Sequence, residues 1–136
     1  PAAKSRTLGQ LAHHIATSPG AVAALSVKNP APAPNFAEFE VSPASTADVL
    51  AALTASVDQA TRIVSAMDDA ALMETWRLTA GGQEIMAIPR IAFLRSIMLN
   101  HWYHHRGQLT VYLRQLDVPL PSIYGPTADE NPFARV

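Results

Sequence analysis

The chain has 136 residues, the length of a single domain with one hydrophobic core, and 49% of its residues are hydrophobic while 15% are charged. This composition excludes a disordered chain, and a net charge of −1 without a lysine or arginine cluster argues against a nucleic-acid partner. The absence of cysteine excludes disulfides and thiolate ligands, so any metal has to be held by nitrogen and oxygen. We expect one domain over residues 1–136. Because no apolar run approaches about 18 residues and no signal-like start is visible, we expect a cytoplasmic protein with no membrane partner.

A first helix is predicted from Leu8 to about Val27. Thr7 and Gln10 have the spacing of a capping box at its start. Pro19 either kinks this helix or begins a second one. The apolar stripe consists of Leu8, Leu11, Ala12 and Ile15.

Two adjacent histidines on this helix differ in direction. A helical wheel places His14 about 100° from the centre of the apolar stripe and His13 about 160° away. We therefore expect His14 to reach the edge of the core and His13 to point into water.

The segment 28–44 is predicted to be an extended connection, because its prolines are incompatible with a helix. We expect Phe36, Phe39 and Val41 to pack it over the surface. A second helix is predicted from Thr46 to about Met67, with a start signal from Ser45 and Asp48. Its buried stripe is predicted to contain Val49, Leu50, Leu53, Val57, Ala60 and Val64.

A β-hairpin is predicted between Thr75 and Ile88. Gly81 and Gly82 separate two alternating stretches, and Gly-Gly is typical of a two-residue hairpin turn. A helical half-turn through Leu72 precedes it. Because two short strands are marginal alone, we expect them to pack on the helices.

The last long helix holds the strongest functional signal. We predict that Pro89 is its first residue and that it continues to about Leu116. His101 and His105 are four residues apart and share a face. That face should be turned to a core, because it also carries Leu94, Met98, Leu109 and Tyr112.

Two buried imidazoles need partners, and two explanations remain open. Hydrogen bonds to carbonyls, carboxylates or water would make them structural, whereas a shared cation would make them metal ligands. With His14 as a third ligand, the set would leave one coordination position open, as in catalytic zinc sites. Imidazole suits zinc, nickel, copper and iron alike.

Several familiar sites lack their residues in this chain. There is no His-Glu-x-x-His, no Glu-x-x-His, no Gly-x-Ser-x-Gly and no phosphate loop around Gly81 and Gly82. Among the enzyme classes considered, small-molecule chemistry at a single metal ion is the one that these missing motifs do not exclude.

Most of the chain resembles the DinB/YfiT family. The stretches that carry the resemblance are 5–12, 14–16, 78–90, 99–109 and 123–130, and a histidine followed later by His-x-x-x-His-Arg-Gly-Gln is a specific combination. The resemblance implies an all-α, up-down bundle of the four-helix type with a small β-hairpin before the last long helix. It also implies that His14, His101 and His105 hold a divalent metal, most often zinc or nickel.

The resemblance implies a metal-dependent enzyme that activates water or a low-molecular-weight thiol. Some members act as thiol transferases on small-molecule substrates, others are described as hydrolases, and members often form homodimers. Members also have a further helix before the stretch that starts at Ser5. We therefore expect that residues upstream of Pro1 were lost, or that another subunit covers the gap.

Four residues near the histidine pair are candidates for catalytic support. Three of them could act on the substrate: His104, Tyr103 and Arg106. The alternatives are that His104 is simply solvated, that Tyr103 packs against its neighbours and that Arg106 forms an ion pair. We expect the amide of Gln108 to orient a ligand on the His101 face.

A non-catalytic metal-binding, small-molecule-binding or stress-response protein is the alternative function. A protein carboxylate or amide in the fourth coordination position would favour it, and an exchangeable water beside a cavity would favour catalysis. A third interpretation has no metal and predicts only hydrogen-bonded histidines. The remaining aromatic residues are predicted to pack in the core or tail: Trp76, Trp102 and Tyr124.

Overall fold

A computed structural model describes residues 4–134, except for the side chain of Phe36. The two ends of the predicted domain and the predicted packing of Phe36 therefore lie outside the described residues. The helices and strands follow in this order: α1 (Leu8–Ser26), β1 (Ala31–Pro32), a 3₁₀ turn (Phe36–Phe39), α2 (Thr46–Ser65), α3 (Asp69–Met73), β2 (Thr75–Ala80), β3 (Gln83–Pro89), α4 (Arg90–Phe93), a π-helical segment (Leu94–Asn100) and α5 (His101–Arg114).

Helix α1 begins with the predicted capping box and runs through its proline. The Thr7 hydroxyl accepts the backbone N–H of Gln10 at 3.2 Å, and the Gln10 side chain accepts the backbone N–H of Thr7 at 2.9 Å. The helix continues past Pro19 to Ser26, so of the two alternatives for Pro19 the start of a second helix is wrong. Because proline has no N–H, the carbonyl of Ile15 has no donor one turn later in the helix.

Helices α1 and α2 approach closely at Gly20. Its backbone N–H donates to the Ser56 hydroxyl at 2.8 Å, and that hydroxyl donates to the Thr17 carbonyl at 3.1 Å. A Cβ atom at position 20 would lie 2.7 Å from the Gln59 side-chain oxygen and 2.9 Å from the Ser56 carbonyl oxygen. Only glycine fits here without displacing the neighbouring helix.

The predicted buried stripe of α2 is partly wrong. Leu50 and Val57 are exposed by 58% and 38%, whereas Ser56 and Ala60 are the buried residues of this helix. Ser56 bonds to α1 and therefore faces that helix together with Ala60. Small side chains on this face of α2 permit the close approach of the two helices at Gly20.

A three-stranded sheet covers one end of the helices. Gly81 and Gly82 form the predicted turn, with φ of 56° and 79°, which suits a two-residue hairpin. The segment 28–44 contributes a strand that was not expected, because β1 pairs parallel with β2 through Ala31 opposite Leu78. The chain is therefore mostly helical with a small sheet, and all-α is too loose a label.

The core lies between this sheet and the helices. The rings of Trp76 and Phe93 stack with centroids 3.9 Å apart, and Ala31 is fully buried beside them. Five half-buried side chains complete it: Val22, Leu25, Leu78, Met86 and Ile88.

Arg90 is buried next to this core and joins its own helix α4 to α1 and to the segment of α3 that ends at Glu74. Its Nε donates to the Ser26 carbonyl at 2.9 Å and its Nη2 to the Glu74 carboxylate at 2.8 Å, while Nη1 donates to the Ala71 carbonyl. Pro89, predicted as the first helical residue, instead ends β3 and precedes the helix that starts at Arg90. Its ψ of 139° is extended because it still pairs with Thr75.

The histidine-bearing helix ends at Arg114 and is less buried than expected. None of the residues of α5 is fully buried, and Met98, Leu109 and Tyr112 are half-buried. The neighbour of α5 is α1, so one side of the predicted apolar face borders a cavity instead of protein. Within residues 4–134, no helix combines the length and hydropathy that a membrane span requires.

Candidate metal centre

Three imidazoles from two helices meet between α1 and α5. His14 is 8% exposed, while His101 and His105 are half-buried. One nitrogen from each ring can be chosen so that all three lie within 4.8 Å of one another. The structure thus brings together the three histidines that the sequence and the family resemblance single out as ligands.

A hydrogen bond between the two helices aligns these histidines. The indole N–H of Trp102 donates to the Ile15 carbonyl at 2.9 Å, and this is the carbonyl that Pro19 leaves without a helical donor. Since Trp102 follows His101 and Ile15 follows His14, the bond fixes the relative positions of the two helices beside the cluster. Trp102 is therefore half-buried with a polar contact, which differs from the simple core residue that the sequence predicts.

The hydrogen bonds within the cluster determine which nitrogens carry protons. The His105 Nδ1–H donates to the Gln108 oxygen at 2.7 Å, because that oxygen can only accept. The Nε2 of His105 is then bare and accepts from the Nε2–H of His101 at 2.9 Å. Gln108, expected on the His101 face, thus orients His105.

Two nitrogens of the cluster have no partner. The buried side-chain nitrogens without a hydrogen bond in the described residues are those of His14 (Nε2), His101 (Nδ1) and Trp76 (Nε1), and two of the three lie here. Leaving such a group unpaired costs about 1 to 3 kcal/mol. A cation or a water would relieve this cost at the cluster.

The donor set fits a divalent metal ion. Two nitrogens bound to one zinc at about 2.0 to 2.1 Å lie at most about 4.2 Å apart. In the structure the three candidate ligand nitrogens lie within 4.8 Å of one another, and small rotations of the side chains would bring them within the zinc-binding distance. No carboxylate belongs to the cluster in the described part of the chain, so three protein ligands would leave a position free.

Burial keeps all three imidazoles neutral near pH 7. It is the main cause that lowers the pKa of His14 to about 4, and the charge of Arg6 adds to the effect. Burial also lowers the pKa of His101 and of His105. Neutral imidazole is the form that binds a metal.

Two cavities border the cluster. One of about 410 Å³ lies over all three histidines, and one of about 520 Å³ contacts His105 and Gln108 from another side. Arg6 lines both cavities, and its Nε and Nη2 donate to one oxygen of Glu40 at 3.1 and 3.0 Å.

The other candidate residues do not join the cluster. His104 is exposed, with its ring centroid 5.0 Å from that of His105. The guanidinium of Arg106 lies 5.2 and 5.1 Å from the ring centroids of Tyr103 and Tyr124. Tyr124 is 82% exposed, so its predicted packing in the tail is wrong. For Arg106 the sequence left an ion pair open, and the structure shows stacking on these two rings instead.

Sequence reasoning missed several residues around the cluster. Arg6 belongs to a stretch that resembles the family, but the sequence predicted no role for it. Phe39 was expected only to pack over the surface, whereas its ring centroid lies 6.2 Å from that of His14. The spacing of Ile15 and Pro19 was the available signal for the contact with Trp102, because a proline four residues later frees a carbonyl. His13 is half-buried outside the cluster.

Comparisons with known proteins agree with this architecture. The model of the DinB family matches residues 1–132. A DinB-like protein from Bacillus cereus has a similar fold, with a TM-score of 0.66 and 23% identity over 87% of this chain and 73% of that one. The protein YrdA of Bacillus subtilis is 46% identical over 37 residues, which are 27% of this chain and span only 22% of YrdA.

Proposed function

This chain belongs to the DinB family, and from that membership and its histidine cluster we propose that it is a metal-dependent enzyme. The proposed ligands are His14, His101 and His105, the proposed metal is zinc or nickel, and the proposed nucleophile is a water or a low-molecular-weight thiol. The observation that carries the proposal is the convergence of three neutral imidazoles, with unpaired nitrogens, at an open cavity.

The metal and the chain would divide the chemistry between them. A bound divalent ion would lower the pKa of a water or thiol and polarise a substrate oxygen, so that hydrolysis or thiol transfer becomes possible at neutral pH. Gln108 holds the proton of His105 on Nδ1, which leaves Nε2 unprotonated, as a ligand atom has to be. For His101 to bind through Nε2, its proton has to move to the unpaired Nδ1. Arg6 lines the cavity beside the histidines, and its charge is paired with the Glu40 carboxylate.

Catalysis is favoured over a purely structural metal by two observations. The cluster contains three histidines and no carboxylate in the described residues, and structural zinc sites usually have four protein ligands. The cavity of about 410 Å³ gives a small molecule access to the free position. A small-molecule substrate and a homodimer are part of the proposal, and neither nucleic acid nor membrane is proposed as a partner.

Turnover that depends on both metal and cluster tests the proposal. We would assay purified protein with a panel of thiols and electrophiles and with ester and amide substrates, before and after chelation. We expect at least one activity that disappears with the chelator, returns with zinc or nickel, and is lost in His105→Ala. His104→Ala is the matched control and should keep that activity. A thorough panel without metal-dependent turnover would favour the non-catalytic binding protein instead.

A further inference from the structure

The cavity over the three histidines has apolar walls and a polar base. Arg6 and the histidines are its charged or titratable lining residues in the described chain. The apolar walls come from α1, the π-helical segment and the connection before α2, through Ala21, Val22, Leu25, Pro34, Phe39 and Ile97.

The two hydroxyl groups in the wall are already engaged. Thr17 donates its hydroxyl to the His13 carbonyl at 2.9 Å, and Ser18 donates to the His14 carbonyl at 2.5 Å. These bonds run back into the helix, so neither hydroxyl proton is available to a ligand. A sugar or nucleotide in this cavity would lose the hydration of many hydroxyl groups and would find few hydrogen-bond partners along the apolar walls, which is costly.

We propose, on the basis of the proposed metal site, that this cavity binds the hydrocarbon body of the substrate. The substrate is then a small molecule with an acyl or aryl chain against Ala21, Val22 and Ile97 and its reacting end at the histidines. A volume of about 410 Å³ lies in the range of small-molecule pockets. The histidines and Arg6 line this cavity beside its apolar walls, so a small molecule with one polar head and a hydrocarbon body matches the lining better than a protein segment, whose backbone carries polar groups along its whole length.

A series of straight-chain acyl hydroxamates separates the cavity from the metal. The hydroxamate head binds divalent ions and stays constant, while the chain is lengthened one methylene at a time from acetohydroxamate. For zinc-loaded protein we expect the Kd, measured by calorimetry, to fall about three- to fourfold per added methylene until the cavity is full. Equal affinity for all chain lengths would overturn the inference and leave the metal site intact.

Filling the cavity should remove this dependence. Ala21 is exposed on α1 and lines the cavity, so Ala21→Trp adds bulk to the cavity without disturbing the core. We expect this variant to bind acetohydroxamate as the wild type does but to gain nothing from longer chains. Leu50→Trp is the matched control, because Leu50 is 58% exposed on α2 and outside the cavity. If Ala21→Trp does not fold, Ile97→Trp fills the same cavity from the π-helical segment. A chain-length dependence that survives in the folded variant would overturn the assignment to this cavity.

A metal-free experiment distinguishes this inference from the proposed function. The fluorescent probe 1-anilinonaphthalene-8-sulfonate should bind metal-free wild type and Leu50→Trp and be lost from Ala21→Trp. If the protein binds no metal but the probe follows this pattern, the proposed function fails and the apolar cavity stands. If the probe does not distinguish the variants, or if sedimentation shows a dimer that Ala21→Trp dissociates, a small molecule is not the occupant.

Discussion

Arg90 and His14 are both buried polar side chains, with exposures of 6% and 8%, but they lie in contrasting regions of the molecule. Each side-chain nitrogen of Arg90 donates to an oxygen of the chain, at the end where the sheet covers the helices. His14 has an unpaired Nε2 at the end where α1 and α5 border a cavity. The first region satisfies its polar groups and stabilises the fold, whereas the second leaves bonding capacity for something that the chain does not supply.

The largest expected effect concerns the satisfied region. Arg90→Met removes the donors to the Ser26 and Ala71 carbonyls and should lower the free energy of unfolding by about 3 kcal/mol. Arg77→Met is the control, because the pair of Arg77 with Glu84 is solvent-exposed and should contribute less than about 1 kcal/mol. Urea unfolding of both variants measures the difference. Equal losses would show that burial of Arg90 has no special role.

The pH dependence of stability should report the unsatisfied region. Because the pKa of His14 is lowered from 6.5 to about 4, the unfolded state takes up a proton in this interval that the folded state does not. Metal-free protein should therefore lose about 1.5 kcal/mol of stability between pH 6.5 and pH 5 from His14 alone.

Two variants test whether His14 causes this loss of stability, and the titration of Glu74 falls in a different pH range. His14→Gln should reduce the decline and leave the part that comes from His101 and His105, whose pKa values are also lowered, whereas His104→Gln should leave the decline as it is. The Arg90 hydrogen bond lowers the pKa of Glu74 below its usual value of 4.5, so the stability that it contributes is present above 4.5 and is lost only at lower pH. A stability that is independent of pH from 6.5 to 5 in the wild type would contradict the predicted neutral state of His14.

Two glycines test where the helices are in close contact. Gly20→Ala should cost about 1 to 2 kcal/mol, because the new Cβ would overlap Gln59 and the Ser56 carbonyl. Gly107→Ala should stabilise the protein by about 0.5 to 1 kcal/mol, because a Cβ there meets nothing within 4 Å and alanine favours the helix. Thermal unfolding should give a lower melting temperature for Gly20→Ala and a higher one for Gly107→Ala than for the wild type. Shifts of both melting temperatures in the same direction would refute the contrast.

The smallest expected effect tests the contact that links the two histidine-bearing helices. Trp102→Phe leaves the Ile15 carbonyl without its donor and should cost about 1 kcal/mol. In a Pro19→Ala background the cost should be smaller, because the restored N–H of residue 19 can donate to the same carbonyl. A double-mutant cycle measures this coupling, which we expect to be about 0.5 to 1 kcal/mol. Zero coupling would mean that Pro19 does not free this carbonyl for Trp102.

Local signals predicted much of this molecule. The cap at Thr7, the Gly81 and Gly82 turn, and the shared face of His101 and His105 follow from spacings of a few residues, and all are present in the structure. Spacing and the helical wheel offered His14 as a possible third ligand beside His101 and His105, and the family resemblance implied that the three form one metal-binding set.

Contacts between distant segments were not predictable in the same way. The two-residue strand at Ala31 exists only because β2 lies beside it, and Leu50 is exposed because Ser56 sets the rotation of α2. The π-helical segment and the position of Arg6 beside the histidines also depend on how α1 meets the last helix. No pattern within one element encodes such contacts.

Metal content of protein purified without a histidine tag tests the central claim most directly. Inductively coupled plasma mass spectrometry should find about one zinc or nickel per chain in the wild type, in His13→Ala and in His104→Ala. His14→Ala, His101→Ala and His105→Ala should each contain almost none while remaining folded. Equal metal content in His101→Ala and the wild type would contradict a metal centre at these three histidines.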